Sequence, residues 1–164
     1  MTAGLDRLPG TPGNDTMYIR GGAQVVDGGP GNDFIEGWGG TTIFLYGKGS
    51  GNDTVRIRND YSLDPAYSRV RFTGSLDKNA FTITRDTRDG HISLVFTIRE
   101  TGETLTLHDW YYYGNDTREA LVEFADGTTE DVAALLAAIP IQGTSGNASL
   151  SGFGCDRAFL VYPC

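Results

Sequence analysis

The sequence has few of the residues from which most catalytic and thiolate metal sites are built. Its 164 residues include two cysteines and two histidines, and both cysteines, Cys155 and Cys164, lie in the last ten positions. The rest of the chain therefore needs neither a disulfide framework nor a zinc–thiolate site. His91 and His108 are isolated, and the sequence contains no Gly-x-Ser-x-Gly elbow and no His-Glu-x-x-His helix. These absences predict that the chain is not an enzyme.

Positive charge and long apolar segments are also scarce. The chain carries 13 Lys and Arg against 21 Asp and Glu, a net charge of −8. Nucleic-acid binding needs clustered basic residues, so we expect no nucleic-acid partner, and cations are the better candidates. No apolar run approaches the roughly 18–20 residues of a membrane span, so none is expected. The N-terminus lacks a basic segment followed by an apolar one, so we expect no cleavable signal peptide.

Glycine, by contrast, is abundant and unevenly placed. Of 23 glycines, 14 lie in residues 1–55 and only 5 in residues 56–140. The N-terminal part is therefore not helix-rich, because glycine destabilises a helix interior by roughly 1 kcal/mol relative to alanine. The triplet Gly-Asn-Asp recurs at 13–15, 31–33, 51–53 and 114–116. The first two copies are 18 residues apart and the next two are 20 apart, which indicates an internal repeat.

The repeat unit is nine residues long. Residues 10–18 and 28–36 both have glycine at positions 1 and 4, aspartate at 6 and an apolar residue at 8. The windows that follow each of them place Gln24 and Thr42 where the aspartate would stand. This pattern predicts a solenoid in which a six-residue turn alternates with a three-residue strand, two units forming one 18-residue coil. The apolar residues expected to face inward are Met17, Val26, Ile35, Phe44 and Val55.

Beyond residue 56 the pattern changes to alternating apolar and polar residues. Alternation with Gly-containing turns between the segments predicts antiparallel strands and hairpins. The predicted strands lie at 70–72, 81–83, 92–98, 105–107 and 121–124. Acidic and hydroxyl residues at 128–131 predict the start of one helix, over about 129–139 and ending before Pro140. Residues 143–151 look like one more nonapeptide, with Ala148 in place of the aspartate.

Residues 10–55 resemble the RTX, or haemolysin-type, calcium-binding nonapeptide repeat, Gly-Gly-x-Gly-x-Asp-x-(aliphatic)-x. Residues 69–139 are similar to the domain that commonly follows such repeats. Three stretches carry that second resemblance, namely Phe81-Thr82-Ile83-Thr84-Arg85-Asp86, Leu105-Thr106-Leu107-His108-Asp109-Trp110 and Val122-Glu123-Phe124-Ala125-Asp126-Gly127-Thr128.

The resemblance implies a mainly all-β fold, a short parallel β-roll packed on a small antiparallel β-domain with one C-terminal helix. The predicted division is a calcium-binding roll at 8–57, the β-domain at 58–140 and a degenerate repeat-like tail at 141–164. Proteins of this family are secreted bacterial proteins that leave through a type I channel. We therefore expect an extracellular chain whose roll folds on binding Ca²⁺ and serves stability or export, with type I secretion machinery as a partner.

Calcium between adjacent turns, as in the family, predicts particular ligands here. Ca²⁺ takes six to eight oxygens and accepts backbone carbonyls readily, which glycine-rich turns expose. We expect one site between turns 10–15 and 28–33 and a second between 28–33 and 49–53. The expected carboxylate ligands are Asp15, Asp33 and Asp53. The expected backbone contributors are Thr11, Gly13, Gly28, Pro30, Gly31 and Gly51. The opposite edge offers only the neutral oxygens of Gln24 and Thr42, so we expect it to bind calcium weakly or not at all.

An alternative function rests on the aromatic run Trp110–Tyr113. Exposed aromatic rings stack on sugars, so this run would give an adhesin- or lectin-like glycan-binding module. The simpler interpretation places the tryptophan in the core and the tyrosines over a sheet edge. Gly114-Asn115-Asp116 lies outside the repeat frame and is interpreted as an ordinary turn. The tail has Cys155 and Arg157 where the repeat would have glycine and aspartate.

Overall fold

The computed structural model describes residues 6–20, 24–38, 42–58, 68–86, 92–108 and 121–139. Several features that the sequence analysis interpreted lie outside these residues. They are the aromatic run Trp110–Tyr113, the triplet 114–116, both cysteines and the whole of the tail 141–164. No helix in the described ranges is long and apolar enough to cross a membrane.

The described chain is mainly β, as predicted, with one short helix near its C-terminal end. The strands are β1 (Asp6–Pro9), β2 (Thr16–Arg20), β3 (Gln24–Asp27), β4 (Phe34–Trp38), β5 (Thr42–Tyr46), β6 (Asp53–Arg58), β7 (Arg69–Phe72), β8 (Phe81–Asp86), β9 (Ser93–Ile98), β10 (Thr104–His108), β11 (Leu121–Glu123) and β12 (Thr129–Asp131). Helix α1 spans Val132–Ala138, and a 3-10 turn at Lys78–Ala80 precedes β8.

The N-terminal strands alternate between two sheets, as a two-strand coil requires. One sheet has the order β1-β3-β5-β7-β11-β12 and the other has the order β2-β4-β6-β10-β9-β8. Asp6 pairs with Gln24 and Thr16 with Phe34, in parallel and 18 residues further along the chain. Phe34 pairs with Thr54, a step of 20. The register therefore follows the spacing of the Gly-Asn-Asp triplets.

The apolar position of each nonapeptide faces the space between the sheets. Val26, Ile35, Phe44 and Val55 are each no more than 2% exposed, and Met17 is half-buried against them. Each strand is too short to bury a core of its own. The solenoid is therefore stable only as a stack, in which each coil covers its neighbours.

Both sheets continue past residue 58 without interruption. Strand β7 pairs in parallel with β5, and β10 pairs in parallel with β6. Strand β11 in turn pairs in parallel with β7. The expected antiparallel arrangement after residue 58 is therefore wrong for β7 and β10 and for one side of β11. Among the described strands, β8-β9, β9-β10 and β11-β12 are the antiparallel pairs. The reason is that β5 and β6 are the last strands of the repeats in their sheets, so each has one unpaired edge. Strands β7 and β10 pair with these edges in parallel.

The C-terminal part closes the core with aromatic rings. Phe72 lies at the centre, with ring-centroid distances of 4.3 Å to Phe81, 5.2 Å to Phe96 and 5.5 Å to Phe124. Tyr46 of the repeat region contacts the same ring edge-on at 6.0 Å. The repeat region and the C-terminal strands thus share one hydrophobic core.

The helix is shorter than the sequence predicts. Residues 129–131 form β12 and pair antiparallel with β11, so α1 begins at Val132 rather than at about 129. A carboxylate oxygen of Asp131 accepts a hydrogen bond from the amide of Ala134 at 3.2 Å, which caps the first turn. Pairing with β11 satisfies the backbone of Thr129–Asp131 and overrides the local helix signal.

Candidate metal centre

Three glycine-rich turns lie on top of one another at one edge of the two sheets. They connect β1 to β2, β3 to β4 and β5 to β6, and each carries one Gly-Asn-Asp triplet. Because the strands on either side stack in parallel register, the triplets stack as well. The three aspartates that the repeat pattern predicts as ligands, Asp15, Asp33 and Asp53, are therefore brought to one edge.

The aspartates form a hydrogen-bonded ladder. Asp15 donates its amide N–H to Oδ1 of Asp33 at 2.8 Å, and Asp33 donates its amide to Oδ1 of Asp53 at 2.9 Å. Asp33 and Asp53 are buried, with 2% and 4% exposure, whereas Asp15 at the open end is half-buried. Each buried carboxylate therefore uses one oxygen to bridge adjacent turns.

The second carboxylate oxygen of Asp33, Oδ2, does not bridge adjacent turns. Oδ2 is buried and accepts no hydrogen bond, although a buried ionised oxygen without a partner is strongly unfavourable. Burial raises the pKa of Asp33, and burial together with neighbouring carboxylates raises the pKa of Asp53 to about 7. A cation would remove this penalty, because it would compensate the charge of a carboxylate that water cannot reach.

The turns approach so closely that only glycine fits at several positions. A Cβ on Gly31 would lie 2.2 Å from the carbonyl oxygen of Gly13, and one on Gly51 would lie 1.8 Å from that of Gly31. A Cβ on Gly29 would lie 2.9 Å from the carbonyl oxygen of Thr11. Carbonyl oxygens of Thr11, Gly13 and Gly31 thus face the following turn.

Three other predicted contributors have neighbours of their own. The Gly28 carbonyl faces back toward Gly10, where a Cβ would lie 2.0 Å from its oxygen. The Pro30 carbonyl accepts the amide of Gly13 at 2.7 Å, and the Gly51 carbonyl accepts the hydroxyl of Tyr46 at 2.8 Å. A carbonyl oxygen has two lone pairs, so these hydrogen bonds leave each oxygen one further acceptor site.

The donor set fits calcium better than a transition metal. Within the described residues, no three Asp, Glu, His or Cys side chains converge on one point. An ion at this edge would therefore be held by one or two carboxylates together with backbone carbonyls. Such a hard, oxygen-only set suits Ca²⁺ and lacks the nitrogen or sulfur ligands that zinc and copper prefer. Between turns 10–15 and 28–33 the ligands would be Asp15 and Asp33 with the carbonyls of Thr11 and Gly13. Between turns 28–33 and 49–53 they would be Asp33 and Asp53 with the carbonyl of Gly31.

A second hydrogen-bonded ladder, formed by the asparagines of the triplets and not predicted from the repeat pattern, runs beside the aspartates. Asn32 donates its amide to Oδ1 of Asn14 at 2.8 Å, and Asn52 donates its amide to Oδ1 of Asn32 at 2.9 Å. Oδ1 of Asn52 in turn accepts the amide of Thr104 at 3.1 Å. The recurrence of asparagine before each aspartate is the sequence signal for this ladder.

Glu103 also contacts the turns, and no signal in the sequence predicts this contact. Its carboxylate accepts the amides of Gly49 and Gly51 at 3.0–3.2 Å, and the Thr101 hydroxyl donates to Oε2 at 2.7 Å. These hydrogen bonds lower the pKa of Glu103, those from Thr101 and Gly49 being the main causes. Glu103 is 50 residues from Asp53 in the sequence, so only the pairing of β10 with β6 brings them together.

At the edge of the sheets opposite to the aspartates, the described residues differ from those at the aspartate edge. Gln24 and Thr42 are register neighbours there, and Oε1 of Gln24 and Oγ1 of Thr42 are both buried without a hydrogen-bond partner. Both oxygens are neutral. Residues 21–23 and 39–41, which follow β2 and β4 in the sequence, lie outside the described ranges. A one-edged stack therefore stays a prediction.

The comparisons with known proteins bear on the C-terminal half of the chain. Residues 94–134 match the family model described as the haemolysin-type calcium binding protein related domain. The match covers most of β9 and all of β10, β11 and β12, and it includes Glu103. A search of curated proteins gives no match to the chain. The match confirms, for residues 94–134, the predicted similarity of residues 69–139 to a haemolysin-type calcium-binding-related domain, and it supports calcium as the ion.

Proposed function

We propose that the chain is a non-catalytic calcium-binding β-roll module, which folds on binding Ca²⁺ outside the cell and serves the stability or export of a type I-secreted bacterial protein. The observation that carries the proposal is the buried, unpartnered Oδ2 of Asp33 between stacked glycine turns. The family match at 94–134 supports the same ion independently of the turns.

The proposed mechanism couples binding to folding. Without calcium, closing the turns brings the charges of Asp15, Asp33 and Asp53 together and orders glycine-rich backbone, both of which are unfavourable. Calcium compensates the charge and adds ligand bonds that only the folded turns supply. At ten times the dissociation constant, one site stabilises the folded state by about 1.4 kcal/mol. A cytosol poor in calcium would leave the turns loose, and calcium outside the cell would close them.

Calorimetry on an isosteric variant tests the ion site. Asp33→Asn keeps the shape of the side chain and an oxygen for the Asp15 amide, but it removes the charge. We expect isothermal titration with Ca²⁺ to lose most of its heat in Asp33→Asn and to keep it in Gln24→Ala, the matched change at the opposite edge. The circular dichroism spectrum of the native chain should gain β structure with calcium.

Two results would contradict the proposal. One is a native spectrum and melting temperature that do not respond to millimolar calcium. The other is an equal loss of heat in Asp33→Asn and Gln24→Ala, which would exclude an ion site confined to the aspartate edge.

A further inference from the structure

The hydrogen bonds between successive turns follow one rule until the last turn. The amide of Gly13 donates to the carbonyl of Pro30 in the next turn at 2.7 Å, and the amide of Gly31 donates to that of Ser50 at 3.0 Å. By the same rule, the amide of Gly51 requires an acceptor in a fourth turn. The sequence has no fourth Gly-Asn-Asp copy in frame after residue 53.

Glu103 supplies that acceptor with its side chain. Oε1 of Glu103 accepts the Gly51 amide at 3.2 Å and also the Gly49 amide at 3.0 Å. The Asn52 side chain, which in a longer stack would accept an amide from the next triplet, accepts the amide and hydroxyl of Thr104 instead, each at 3.1 Å. The β9–β10 hairpin therefore takes the place of a fourth repeat turn.

The position of Glu103 is fixed by two contacts. The Thr101 hydroxyl donates to Oε2 at 2.7 Å, and parallel pairing of Leu105 with Asp53 brings the hairpin beside the turn. Lys48 of the turn also forms an ion pair with Glu100 of the hairpin, but both side chains are exposed, so this pair contributes little to holding the turn. A carboxylate held by two backbone amides is a charge-assisted acceptor, and such bonds are roughly twice as strong as neutral ones.

We propose that Glu103 is a positioning residue for the last calcium site: it terminates the stack of turns and holds the turn 47–53, and so Asp53, in the conformation that binds calcium. This inference rests on the proposed function. It assigns to the segment matched by the family model a direct role at the calcium edge, through a side chain that supplies the acceptor of a missing repeat turn.

The consequence is a coupling between two parts of the chain. Calcium at Asp33 and Asp53 stabilises the turn 47–53, and Glu103 can accept the Gly49 and Gly51 amides only when that turn is formed. By linkage, folding of the β9–β10 hairpin raises the calcium affinity of this site, and calcium stabilises the hairpin to the same extent. The site between turns 10–15 and 28–33 does not contact Glu103 and should be affected much less.

The test compares Glu103→Ala, Glu103→Gln and Glu100→Gln in the full chain. Glu103→Ala should weaken calcium binding at the Asp53 site about tenfold or more and change the other site less than about threefold. Glu103→Gln keeps one carbonyl acceptor for the two amides, so it should restore part of the affinity. Glu100→Gln is the matched control, because Glu100 is an exposed hairpin carboxylate that pairs only with Lys48 among the contacts described, and it should bind as the native chain does.

Amide exchange of Gly49 and Gly51, measured at saturating calcium, gives a readout that is separate from calcium affinity. Both amides should lose protection in Glu103→Ala and keep it in Glu100→Gln. In an Asp53→Asn background, Glu103→Ala should no longer change calcium affinity, although the loss of protection persists. A merely structural role would lower calcium binding equally in both backgrounds.

The outcomes separate this inference from the proposed function. A native chain that does not bind calcium refutes the proposed function, whereas the exchange of Gly49 and Gly51 still tests whether Glu103 holds the turn. Native calcium affinity in Glu103→Ala, or unchanged protection of the two amides, overturns the inference even if the native chain binds calcium. If Glu103→Ala does not fold, the inference is tested by measuring the calcium affinity and the amide exchange of Gly49 and Gly51 in Glu103→Gln.

Discussion

Asp53 shows at the scale of one residue why a cation would stabilise this edge. The residue is 4% exposed, and the carboxylates of Asp33 and Glu103 add repulsion to the effect of burial. The one interaction that lowers its pKa is the hydrogen bond from the Asp33 amide. Without a cation the folded state therefore favours the neutral, protonated form of Asp53.

This raised pKa predicts a pH dependence of stability in calcium-free buffer. The pKa of Asp53 is about 7 when folded, against an ordinary value of 3.8. Between these values the folded state binds more protons than the unfolded state, so the stabilisation is complete below about pH 4 and is lost as pH rises through 7. Over that interval the contribution of Asp53 to the free energy of unfolding should fall by an amount on the order of 3–4 kcal/mol.

The measurement is urea unfolding at several pH values, comparing the native chain with Asp53→Asn. Asparagine keeps the acceptor for the Asp33 amide but does not titrate, so the difference between the two curves isolates Asp53 from other carboxylates. We expect Asp53→Asn to be the more stable protein at pH 8 without calcium. Parallel curves for the two proteins would show that Asp53 is not buried as the structure has it.

At the scale of one element, the turn 47–53 depends on two glycines for different reasons. Gly49 has φ +87° with open space around its Cα, whereas Gly51 has φ +93° and lies against the Gly31 carbonyl. At Gly49, a non-glycine residue would only have to adopt an unfavourable backbone angle. At Gly51, it would have to adopt such an angle and its Cβ would also clash with the preceding turn.

Gly49→Ala and Gly51→Ala therefore form a matched pair. Gly49→Ala should lower the free energy of unfolding by about 1–2 kcal/mol, the usual destabilisation for a non-glycine residue at positive φ. Gly51→Ala should lower it by clearly more and should also weaken calcium binding, because the two turns must move apart. Urea unfolding with calcium present measures both, and equal losses would contradict the close stacking of the turns.

At the scale of the whole molecule, the two sheets make the repeats and the C-terminal strands one structural unit. Strand β10 lies between β6 of the repeats and β9, and its residues Leu105 and Leu107 are no more than 1% exposed. The 8–57 and 58–140 boundaries of the sequence analysis thus mark a change of pattern through which both sheets run without a break.

A core substitution in β10 should therefore weaken both parts together. Leu107→Ala removes a fully buried side chain, which typically destabilises by about 2–5 kcal/mol. We expect native-state amide exchange to show the same loss of protection in β4 and β6 as in β9 and β10. Thr82→Ala, at an exposed position of β8, is the control and should change neither. Full protection of β4 in Leu107→Ala would mean that the repeats fold independently.

The sequence by itself determined the repeats and which aspartates meet at their turns. The 18-residue spacing predicted the register of β1 to β5, the apolar position predicted the inward residues, and Gly-Asn-Asp predicted the aspartates that lie together at one edge, because each of these is a local pattern with a fixed period. Only the tertiary structure decided what ends the stack. The parallel addition of β7 and β10, the unpartnered oxygen of Asp33 and the contact of Glu103 with Gly51 join residues that are distant in the chain. Such contacts produce no periodic pattern in the sequence, because they depend on burial and on the pairing of strand edges in the folded sheets.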